Sequence, residues 1–99
     1  MNDHASVVQV SRHLPAEGRK DEVAGVLRVL AEDARKAPGC FGAQLAASDQ
    51  DGHALVLIAR WESAEAMNRF KQQPEYTGFE REIADSLRRA PETEIFTTA

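Results

Sequence analysis

The sequence is poor in cysteine. A single one, Cys40, in 99 residues excludes an intramolecular disulfide and any thiolate zinc cluster. Positive charge is also scarce: 12 basic residues against 16 acidic ones give a net charge of −4, and no polybasic run occurs. Nucleic acid and anionic membrane both need a basic surface, so neither is an expected partner. Long apolar runs are missing. The longest, residues 54–59, is far short of the ~20 residues that span a bilayer. Residues 1–6 have neither a basic region nor an apolar stretch, so no secretory leader is expected and a cytoplasmic location is. Neither G-x-x-x-x-G-K-[ST] nor G-x-G-x-x-G is present, so the ATP, NAD and flavin fingerprints are missing and no cofactor is expected. His4, His13 and His53 lack the spacing of a metal-ligand set, so no metal is expected either.

What is present suits one small domain covering residues 1–99, with its core over about 6–97. Apolar residues make up 42%; setting aside alanine, cysteine and tyrosine leaves 24 large side chains. That number fills one compact core and no more. Residues 6–14 are rich in β-branched side chains and stop at Pro15, which predicts a strand. Val23, Val26, Leu27, Leu30, Ala31 and Ala34 recur on one helical face, and Pro38-Gly39 ends it. Residues 40–47 alternate as a strand, with Phe41, Ala43 and Leu45 expected on one side. Residues 48–52 read as a hairpin loop and 53–61 as the third strand. Ser63 is placed to cap a short helix carrying Met67 and Phe70 inward. A further helix with Phe79, Ile83 and Leu87 at four-residue spacing is expected to break at Ala90-Pro91. Residues 94–97 form the last strand. The order is β-α-β-β-α-β, a ferredoxin-like α+β fold whose first and third strands lie antiparallel at the centre of the sheet.

All helices of that arrangement lie on one face of the sheet. Residues 54–59 are nevertheless apolar on both faces, as a doubly buried strand is. Val8, Val10, Val56 and Ile58 share the uncovered face, a patch too large to leave wet. The most economical cover is a second copy of the same sheet, so a homodimer is expected.

The covered face carries the candidate chemistry. Trp61 shares its parity with Leu55 and Leu57, and Met67, Phe70 and Phe79 descend from the helices. Gln9, Ser11 and His13 on the first strand, and His53 on the third, have that parity too. Polar groups there need partners or water. An apolar cavity with a few converging polar groups would satisfy them and bind a small aromatic or apolar ligand. Pairing of the central strands would bring His13 and His53 to one end of the sheet. Cys40 has no cationic neighbour in sequence and reads as an inert, buried thiol.

The segment Arg60-Trp61-Glu62-Ser63-Ala64-Glu65-Ala66 resembles the W-x-S-x-E-A signature of the antibiotic biosynthesis monooxygenase family. Pro38-Gly39-Cys40-Phe41-Gly42 and Gln73-Pro74-Glu75-Tyr76 are similar to its flanking motifs, so the resemblance runs from about Val7 to Phe96. It implies a dimeric α+β barrel that oxidises aromatic phenols with O₂ and no cofactor. On that reading Trp61 and His13 are the catalytic candidates, and Gln9, Ser11, His53, Leu57, Met67, Phe70, Phe79 and Arg81 line the substrate. The correspondence is partial. The family's aromatic oxygenases have an asparagine at the place of Leu57 and a tyrosine at that of Met67, and their later arginine falls near Arg81. Its haem-degrading branch has an asparagine near Ser11, a tryptophan near Phe70 and its haem-ligating histidine at Glu80, so haem breakdown is not expected. The apolar replacements favour, as the alternative, a non-catalytic ligand-binding barrel.

The dimer argument has a direct test. Val56→Asp or Ile58→Asp should dissociate the protein, because each new carboxylate would be desolvated in an apolar interface. Light scattering at micromolar concentration reads this, and a monomeric parent protein would refute the argument.

Overall fold

The computed structural model describes residues 6–50 and 53–98; His4 and the Asp51-Gly52 tip of the expected hairpin lie outside them. Strand β1 (Val7–His13) leads into helix α1 (Lys20–Lys36), then strands β2 (Cys40–Ala47) and β3 (Leu55–Trp61). Helices α2 (Ala64–Lys71) and α3 (Pro74–Ile83) follow, then a 3₁₀ turn (Ala84–Ser86) and strand β4 (Glu92–Thr97). The sheet order is β2-β3-β1-β4, antiparallel throughout. This is the ferredoxin-like arrangement, with β1 and β3 central. Among the described residues, no helix is long and apolar enough to cross a membrane.

Period-two burial divides the central strands into two faces. Val7, Gln9, Ser11 and His13 are buried on β1 and pair in register with Trp61, Ala59, Leu57 and Leu55, buried on β3. Against this face α1 packs Val23, Ala24, Leu27, Leu30, Ala31 and Ala34. Its acidic first turn (Asp21, Glu22) and basic last turn (Arg35, Lys36) both favour the helix dipole. On the opposite face Val8, Val10, Val56 and Ile58 are half-buried. Phe96 stands beside Val8 and adds to the patch, while Arg60 and Arg12 bracket it.

Three departures from the sequence reading have physical causes. Phe41 does not join Ala43 and Leu45, because a bulge between Cys40 and Gly42 shifts the register and leaves Phe41 63% exposed. The last helix does not run to Ala90. It ends at Ile83, and Leu87 is extended (φ −108°, ψ 149°). The competing partners are tertiary: Pro15 and Leu87 form an isolated bridge, Ala16 N–H donates to Ser86 O at 2.8 Å and Arg88 N–H to Leu14 O at 2.8 Å. Once these backbone groups are satisfied outside a helix, four-residue spacing no longer decides. Cys40 is only half-buried, with Sγ–H donating to Gly42 O at 3.4 Å; burial pushes its thiol pKa up, so it remains a thiol.

Two local devices hold the turn that aims β3 at the helices. Ser63 caps α2, its Oγ accepting from Ala66 N–H at 3.2 Å, the bond the sequence position suggested. Gly39 turns the chain after α1 with φ +85°, and its carbonyl accepts from Glu62 N–H at 2.7 Å. A Cβ there would stand 2.6 Å from the Ala66 Cβ, an atom that cannot swing away. Gly39→Ala should therefore cost about 1–3 kcal/mol, combining left-handed strain with a steric shift of α2. Urea denaturation reads the loss, and an unchanged midpoint would show that the turn relaxes freely.

Candidate functional site

Strand β1 buries polar side chains at three successive inward positions. Gln9 is 5% exposed, Ser11 4% and His13 2%. Each finds a different solution. Gln9 Oε1 accepts the Trp61 indole N–H at 3.1 Å. Ser11 Oγ shares a hydrogen bond with Thr93 Oγ1 of β4 at 3.2 Å. His13 Nδ1 has no partner at all; among the described residues it is the only buried side-chain nitrogen or oxygen in that position.

His13 faces a cavity of about 550 Å³ between the sheet and the α3–3₁₀ segment, within the size range of small-molecule sites. Leu30, Leu57, Phe79, Ile83 and Leu87 give it an apolar wall, Ser11, His13, Tyr76 and Thr93 its polar groups, and Glu80, Arg88 and Arg89 its charges. Arg89 also holds an exposed ion pair with Glu92 at 3.3 Å.

Behind this cavity a continuous aromatic chain stiffens the fold. Trp61 packs on Phe70 with centroids 5.4 Å apart, Phe70 on Tyr76 at 5.8 Å, Tyr76 on Phe79 at 5.7 Å, and Phe79 meets His13 edge-on at 6.3 Å. Offset and edge contacts of this kind add to plain area burial. The chain links the far end of β3 to the far end of β1 through α2 and α3.

The expected site residues separate under this geometry. His13, Ser11, Leu57 and Phe79 come together on the cavity wall. Trp61 is fully buried behind it, as are Gln9, Met67 and Phe70, so the tryptophan supports the cavity without walling it. His53 does not join His13. The register partner of His13 is Leu55, and His53 lies exposed beyond the start of β3, over a small separate depression with Lys20 and Arg88. Arg81 is exposed and outside the cavity, while its neighbour Glu80 is on the rim. The sequence reading passed over Tyr76, although it is the only tyrosine and lies three residues before Phe79 on the same helical face. Among the described residues, no group of three His, Cys, Asp or Glu side chains is placed to hold a metal ion.

Electrostatics distinguish His13 from Tyr76. Desolvation lowers the His13 pKa from its ordinary value, with the backbone at Leu55 and Ser11 pulling it partly back. The imidazole is therefore predominantly neutral at neutral pH, and an imidazole nitrogen without a proton is an acceptor. Burial raises the Tyr76 pKa, the Glu80 charge raises it further, and the nearby Gln9 side chain partly offsets both. Tyr76 remains a phenol.

A model of a family described as "Antibiotic biosynthesis monooxygenase" matches residues 6–82. No curated protein matches the chain. Among solved structures, Rv0793 from Mycobacterium tuberculosis is similar with a TM-score of 0.89 at 21% identity, covering 95% of each chain. PA3566 from Pseudomonas aeruginosa is similar with a TM-score of 0.88 at 18% identity, over 100% of this chain and 99% of that one. A Nitrosomonas europaea protein titled as a candidate antibiotic biosynthesis monooxygenase reaches a TM-score of 0.89 at 14% identity, over 98% and 93%. At these identities the likeness establishes the fold.

The lowered His13 pKa carries a stability prediction. The unfolded chain takes up its proton near pH 6.5, the folded chain only at lower pH. Stability from this group is therefore complete above that unfolded value and declines as pH falls through the folded one. His13→Gln should flatten the acid limb of a plot of stability against pH. An imidazole that titrates by NMR at or above the ordinary histidine value would contradict the assignment.

Proposed function

The chain belongs to the antibiotic biosynthesis monooxygenase family, and on that footing we propose that it oxidises a small hydroxyaromatic compound with O₂, without a cofactor, in the cavity faced by His13. The observation that supports this reading most is the unpartnered, buried Nδ1 of His13, a residue that lines the cavity beside Leu57 and Phe79. A neutral imidazole there can accept the proton of a phenol bound against Leu57 and Phe79. The resulting phenolate is electron-rich enough to pass one electron to O₂, the step that closed-shell organics otherwise make slowly. Recombination forms a carbon–oxygen bond on the ring. The peroxide takes back the proton held by His13; breaking the C–H bond at that carbon then expels hydroxide from the O–O bond, and the released ring proton turns it into water, leaving a quinone. The chain's part is to orient the ring, exclude water and hold the proton.

Trp61 and Gln9 serve this site from behind, and Ser11 and Thr93 close its polar edge. We extend the proposal to a homodimer joined through Val8, Val10, Val56 and Ile58, with Phe96 enlarging the same apolar surface. A second reading, binding without turnover, is favoured by Leu57, which puts an apolar group on the wall where the family's aromatic oxygenases have an amide.

Oxygen uptake with a panel of anthrols and hydroquinones separates the two. Monooxygenation consumes one O₂ per quinone formed, and His13→Gln should lower kcat by about 10²–10⁴, the usual contribution of a positioned general base. Saturable binding with no oxygen uptake would transfer the assignment to the second reading.

A further inference from the structure

The mouth of the cavity carries opposite charges on its two sides. Glu80 stands on α3, one turn after Tyr76, and Arg88 and Arg89 on the segment between the 3₁₀ turn and β4; all three line the cavity. The chain as a whole is acidic, with 16 acidic residues to 12 basic ones, so two arginines against one glutamate reverse the sign locally. The two arginines differ in what they hold. Arg89 Nη2 donates to Glu92 Oε1 at 3.3 Å. The Arg88 guanidinium has no hydrogen bond or ion pair among the described residues. Its backbone is nevertheless fixed: Arg88 N–H donates to Leu14 O at 2.8 Å, and Leu87 bridges Pro15. That bond sets Arg88 beside the residue that follows His13. The exposed arginine and the buried imidazole therefore belong to one end of β1, the first at the cavity's mouth and the second within it.

We propose that the cavity takes a hydroxyaromatic carboxylate, with Arg88 as the residue that selects the carboxylate. This rests on the cavity being the ligand site, as argued above, and specifies the class of molecule that enters it. The hydroxyl goes inward to His13 Nδ1, the ring lies against Leu57 and Phe79, and the carboxylate stays at the mouth. An ionised group carried down to the apolar wall would lose its water at great cost. At the mouth it keeps part of that water and meets a planar guanidinium, whose fork of donors matches two carboxylate oxygens. Glu80 repels the same group from the α3 side, which leaves one orientation. Arg88 is a specificity residue here, because the group it binds is not the one that reacts.

The test uses two matched pairs, 5-hydroxy-1-naphthoate and 6-hydroxy-2-naphthoate, each against its own carboxamide, which is equal in shape and neutral. They are titrated calorimetrically into the protein in the absence of oxygen, so that binding is read without turnover. In at least one pair the carboxylate should bind about five- to tenfold more tightly, between the worth of an exposed ion pair and that of charge-assisted hydrogen bonds. Raising the salt from about 50 to about 500 mM should shrink that preference. Arg88→Gln should bring the ratio to about one and leave the carboxamide affinity unchanged. The bond that holds this segment is made by the backbone, so the fold survives the change. Arg88→Lys, which keeps the charge and loses the fork, should retain part of the preference. A preference that survives Arg88→Gln, or none in the parent protein, overturns the proposal and leaves the ligand site standing. Failure of all four compounds to bind the parent protein overturns the ligand site as well.

Discussion

A polar group taken out of water needs a partner, and β1 imposes that requirement three times in succession on the face where the helices pack. Gln9, Ser11 and His13 sit at alternate positions of a central strand, so none can turn to solvent without reversing the whole register. Much of the local structure answers this one constraint. Trp61 is held at the end of β3 with its N–H on Gln9, and β4 brings Thr93 to Ser11. Only His13 is left over, and the space beside it is a cavity rather than packed core. An unsatisfied buried nitrogen costs roughly 1–3 kcal/mol. An apolar residue there would remove that cost, so the histidine is intelligible as a group waiting for a ligand.

The opposite face of the sheet shows the reverse economy. It has no buried polar row, and its central strands present Val8, Val10, Val56 and Ile58, with arginines at the margins. A sheet with helices on one side only is half a sandwich. The same two strands, β1 and β3, line the cavity with one parity and the apolar patch with the other. Substitutions in these strands therefore cannot be assigned to the cavity face or the apolar patch without reading their parity first.

Chemistry of the proposed kind needs an acceptor in a dry place, which desolvated, neutral His13 provides. The aromatic chain from Trp61 to Phe79 ties β3, α2 and α3 together ring by ring. A buried tryptophan can in this way shape a site that it does not touch.

The fold was largely legible in the residues themselves. Period-two and helical periodicity placed all four strands and the helices, and Ser63 announced its cap. Parity alone put Gln9, Ser11, His13 and Trp61 on one buried face, because side-chain direction alternates along any strand. The sequence could not place residues whose position depends on contacts between distant segments. The bulge at Phe41 depends on pairing with β3, and the early end of α3 on backbone partners at Leu14 and Ala16 some seventy residues away. His53 separated from His13 because the register, not residue type, sets which side chains stand opposite. Tyr76 came to the cavity through the packing of α3 against α1 and α2. Local interactions repeat every two or 3.6 residues and leave a mark in sequence; the meeting of remote side chains has no period, and only the tertiary structure decided it.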